Sequence, residues 1–204
     1  MTELGRGLRL VAVGGLLGVA YAIYEAVVGV AMDRLLARAL PSEREAATLL
    51  RIHDLAFVFW AAAIVLVALG ARAAARHGGK GARLLRTAAA AWAALFVTRA
   101  LALLVEVPQG AEALLGVLVG GAAALGGVAL AMGVRAAVRT SVGVVVFAVV
   151  EGFLEILIGL SMVLPGASVR TVAVWVGSFV AFAALGVGAL RAARQADLQG
   201  GARA

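Results

Sequence analysis

Apolar residues fill six long runs, at about 9–32, 50–71, 87–107, 112–134, 142–164 and 171–190, separated by short segments that collect Arg, Gly, Pro and Glu. A helix of roughly 20 residues crosses about 30 Å of hydrocarbon, and each run reaches that length. Strict apolar/polar alternation is absent while Ala and Leu dominate, so the runs predict helices and exclude the strands of a barrel. The expected fold is all-α: a polytopic membrane protein with six transmembrane helices in a single domain over 1–204.

Composition agrees, since 64% hydrophobic and 14% charged residues do not suit a soluble domain of 204 residues. The formal charge of +7 changes the picture only through its placement. With the N-terminus inside, Arg6, Arg9, Arg72, Arg76, Lys80, Arg83, Arg86, Arg135, Arg139, Arg191, Arg194 and Arg203 fall on the inner side. Arg34, Arg38, Arg44, Arg51 and Arg170 fall outside. This asymmetry predicts a multi-pass membrane protein with both termini cytoplasmic, and it accounts for the basic residues without nucleic acid. Arg6 and Arg9 before an apolar core ending in Ala20-Tyr21-Ala22 imitate a cleavable leader, but hydrophobicity continues to Met32, so a retained span is expected. No cysteine is present, which removes disulfides, thiol catalysis and Cys metal sites.

The six runs group into three related hairpins, about 9–76, 87–139 and 142–194, because each even-numbered helix leaves through a similar exit: Ala71-Arg72-Ala73-Ala74-Ala75-Arg76, Val134-Arg135-Ala136-Ala137-Val138-Arg139 and Leu190-Arg191-Ala192-Ala193-Arg194. The first and third share more. Glu25 through Met32 reads Glu-Ala-Val-Val-Gly-Val-Ala-Met, and Glu155 through Met162 reads Glu-Ile-Leu-Ile-Gly-Leu-Ser-Met. A carboxyl group inside an apolar span is costly, which makes Glu25 and Glu155 the strongest pointers to function. Glu155 lies ten residues before Pro165, a rise of roughly 15 Å, so the midplane is its expected depth. Arg99 lies nine residues before Pro108, and Glu151 sits one turn from Glu155 on the same helical face. The expected intramembrane polar layer is therefore Glu25, Arg99, Glu151 and Glu155.

A second, outer polar level is expected at His53, Asp54 and Glu106, in front of which a longer loop runs from Asp33 to Leu50. Within that loop Ser42 and Glu45 have the spacing of a capping box, so the second helix is expected to begin outside the membrane. One histidine among scattered carboxylates does not make a metal site, and no Ser/His/Asp set or nucleotide motif is present, so no catalytic residue, metal or cofactor is assigned. Glycines in Gly116-x-x-x-Gly120, Gly126-Gly127 and Gly133, and at Gly14, Gly15 and Gly18, suit close helix packing, with the fourth helix as a packing helix. Trp60, Trp92 and Trp175 lie inside the spans as filler.

The third hairpin, with Gly159, Pro165-Gly166-Ala167-Ser168, Gly177, Gly186, Gly188 and its Ala/Arg exit, resembles the hairpin repeat of the HdeD-like acid-resistance membrane proteins. That resemblance, carried mainly by 152–194, implies a six-helix bacterial inner-membrane protein tied to acid and envelope stress. It transfers no site residue. Three functional readings stay open: a non-enzymatic protein whose Glu/Arg layer locks the helices together, a proton- or cation-linked transporter or channel, and an accessory subunit of a larger membrane complex. Expected partners are the lipid bilayer, protons or cations, and copies of the chain or other membrane subunits.

Overall fold

The computed structural model describes residues 1–36, 42–104, 111–138, 143–150 and 167–201, and every regular element among them is an α-helix. In chain order these are α1 (Glu3–Leu36), α2 (Glu43–Ala75), α3 (Ala82–Leu104), α4 (Ala111–Val138), α5 (helical at 143–150) and α6 (Ala167–Gly201). Among the described residues five helices, all but α5, are long and apolar enough to cross a membrane. The count of demonstrable spans is thus five, where the hydropathy pattern gives six. The difference falls on the run 142–164, of which 142 and 151–164 lie outside the described residues.

The expected loop from Asp33 to Leu50 is largely helix. α1 continues to Leu36 and α2 already begins at Glu43, behind a complete capping box in which the Ser42 hydroxyl accepts from the Glu45 amide and the Glu45 carboxylate accepts from the Ser42 amide. Two otherwise orphaned amide donors are thereby satisfied, which lets α2 start ahead of its apolar run at about 50–71. At 34, 33 and 35 residues, α1, α2 and α6 are each about 50 Å long, so their ends project past a 30 Å hydrocarbon slab.

The helices close into a ring. α1 packs between α2 and α6, α2 on α3, and α3 on α4. α5 completes the circuit by seating Ala148 against Gly127 of α4 and Gly143 against Ala184 and Gly188 of α6. In lipid there is no hydrophobic drive between helices, so dispersion at close backbone approach must hold such a ring. α1 supplies two glycine faces for this: Gly7 and Gly14 against Ala74, Ala63 and Val67 of α2, and Gly15 and Gly18 against Gly186 and Phe182 of α6. A methyl group on Gly15 would lie 2.6 Å from the Gly186 amide nitrogen. The packing role expected for α4 holds as well, with Gly126 beneath the Trp92 indole and Gly133 beneath Leu85. Trp92, Phe147 and Phe182 pack in sequence across the centre as tilted ring pairs, at centroid separations of 5.6 and 5.5 Å, and all three are fully buried.

Both chain ends meet at one end of the ring, called proximal below. The Asp197 carboxylate of α6 accepts from the Thr2 amide (2.7 Å) and hydroxyl (3.1 Å) and pairs with Arg9 at 2.7 Å, while the Thr2 hydroxyl accepts from the Gly5 amide. Exposed Arg6, Arg9, Arg72, Arg76, Lys80, Arg83, Arg86, Arg135, Arg191 and Arg194 crowd the same end. The opposite, distal end shows Arg34, Arg44 and Arg51.

Candidate functional site

Three aromatic residues in four positions of α2, Phe57, Phe59 and Trp60, build a shelf near its distal end. Phe57 and Trp60 stack at 5.4 Å with ring planes 30° apart, and Trp60 is 4% exposed. α1 runs antiparallel beside α2, in a register set by Gly7 against Ala74 and Gly14 against Ala63. Continued for three turns, that register brings Tyr24 onto Phe59, with centroids 5.5 Å apart. Glu25, the next residue, therefore lies level with the shelf. From the other side α3 places the Arg99 guanidinium over the Trp60 ring, its Cζ 5.3 Å from the centroid.

Glu25 and Arg99, brought to one level from α1 and α3, are both half-buried. Neither is isolated, and Tyr21 and Tyr24 are engaged as well. An indole face attracts a guanidinium by about 0.5–2 kcal/mol, more as water is withdrawn. Trp60 is buried core, as its sequence context suggests, and in addition carries the Arg99 guanidinium on its face. The clue was local: aromatics at 57, 59 and 60 in the second apolar run, and Arg99 as the one arginine inside the third, 87–107. Of the other tryptophans, Trp92 is core as expected, and the side chain of Trp175 lies outside those described.

The remaining expected members fall outside what is described. Glu151 and Glu155 belong to 151–166 and Glu106 to 105–110, outside the described residues. His53 and Asp54 lie within α2, distal to Trp60, and their side chains are not among those described. Among the described residues no group of three or more His, Cys, Asp or Glu side chains could hold a metal. What the arrangement can do chemically is place one acid and one base at a common level beside an aromatic surface. No family model, curated protein or solved structure matches the chain.

Proposed function

We propose that this chain is a small, non-enzymatic bacterial inner-membrane protein of the acid- or envelope-stress kind, in which Glu25, Arg99, Glu151 and Glu155 form one acid–base layer that fixes the helices in register. The observation that carries the reading is the shared level of Glu25 and Arg99, on helices that are not neighbours in the chain, with the α2 shelf between them. Pairing in such a layer lowers the cost of each charge, which translocon scales put near 2.5–3.5 kcal/mol for Arg at mid-helix. Six spans arranged as three hairpins, cytoplasmic termini and the HdeD-like resemblance belong to the same proposal. The cytoplasmic orientation is supported by the meeting of both termini at the end that, among the described residues, carries more exposed cations.

Transport is the competing reading, because three acids against one arginine leave a surplus carboxyl able to exchange protons. Reconstitution in vesicles with an internal pH dye separates the two. The structural reading predicts no proton flux for wild type or Glu155→Gln beyond that of empty vesicles. A flux in wild type that Glu155→Gln abolishes would replace it with a proton carrier. Acid-shock survival of a deletion strain, restored by wild type and not by Arg99→Leu, is the expected cellular result.

A further inference from the structure

Distal to Glu25, α1 carries an open groove of about 470 Å³ whose described walls are Ala26, Val27, Val30, Ala31 and Arg34. The wall is alkyl except at its distal end, where the arginine stands. The small side chains of Ala26 and Ala31 make the hollow, while Val27 at 65% exposure and Val30 at 42% place it on the outward face of the helix. Leu16 and Ile23 extend the same exposed apolar stripe toward the proximal end. Arg34 is exposed and, among the described residues, makes no hydrogen bond or ion pair.

We propose that this groove binds one acyl chain of an anionic phospholipid from the distal leaflet, with Arg34 holding the headgroup phosphate. An outward apolar hollow on a helix that crosses the membrane is filled from the hydrocarbon around it. The groove runs from Ala26 to Arg34, about 12 Å along the helix axis, which compares with the roughly 15 Å hydrocarbon depth of one leaflet. The charge completes the match. A guanidinium presents two parallel N–H donors to phosphate oxygens, and Arg34 stands in the last turn of α1, where the carbonyl end of the helix dipole already favours a cation. A second copy of the chain fits less well, because a two-fold pairing of this face would bring the two Arg34 side chains together.

The test uses the full-length protein in nanodiscs containing equal amounts of phosphatidylglycerol and phosphatidylcholine with identical acyl chains. Native mass spectrometry then reads both the retained lipid and the protein mass. Wild type should retain phosphatidylglycerol preferentially. Arg34→Gln should weaken that preference about fivefold, the change that corresponds to about 1 kcal/mol for one interfacial arginine. Val27→Trp, which fills the groove and leaves the charge, should reduce retention of both lipids, and Arg72→Gln at the proximal end should change neither. Equal effects of Arg34→Gln and Arg72→Gln would overturn the proposal in favour of general charge attraction. Absence of any headgroup preference, or a dimer mass that Val27→Trp disperses, would overturn it too.

Discussion

Gly15 and Gly121 are both helical glycines in apolar surroundings, yet they answer to different physics. A side chain on Gly15 meets the backbone of α6 at Gly186, which has no rotamer to give, whereas one on Gly121 meets nothing within 4 Å. Gly15→Val should therefore cost about 1–3 kcal/mol or more, as overpacking does, and appear as a marked loss of thermal stability in detergent. Gly121→Ala should leave stability unchanged or raise it by up to about 1 kcal/mol, since Ala is the better helix former. At Gly78 the constraint is the backbone itself: φ is 69°, a left-handed conformation that lets the chain turn between α2 and α3. Sequence alone marked Gly14, Gly15 and Gly18 as packing residues, and the structure agrees. It could not tell Gly15 from Gly121, because what a missing Cβ avoids is set by another helix.

The existence of the helices was legible because hydropathy is a local property, and so was the start of α2, because a capping box needs only four residues. The Ser42/Glu45 box is expected to contribute about 1 kcal/mol at that end. Ser42→Ala should accelerate amide hydrogen exchange over the first turns of α2 and leave the stretch around Ile64 and Val67, both buried in the core, unchanged. Helix ends were less legible. Amphipathic turns beyond the bilayer resemble loops in a hydropathy profile, and so the extension of α1 to Leu36 was hidden.

For the whole molecule, the ring is closed where α6 returns to α1, through Gly15 and Gly18 within the span and through Asp197 at its proximal end. The carboxylate holds Thr2 and Arg9, but the pair is partly exposed, Arg9 at 47% and Asp197 at 21%, and exposed pairs contribute only about 0–1 kcal/mol. Asp197→Asn should thus lower global stability little while raising exchange at the amides of Gly5 and Arg6, a local opening that hydrogen-exchange mass spectrometry would resolve. Stability of the ring as a whole rests on the glycine-mediated contacts and, in the account given above, on the acid–base layer. Thermal unfolding in detergent of wild type, Arg99→Leu, Glu25→Gln and the double variant tests that layer most directly. The account predicts a loss of several degrees for Arg99→Leu and a partial recovery when Glu25→Gln is added, because removing the base strands an acid that the second change neutralises. An Arg99→Leu protein as stable as wild type, or strictly additive effects of the two changes, would contradict it.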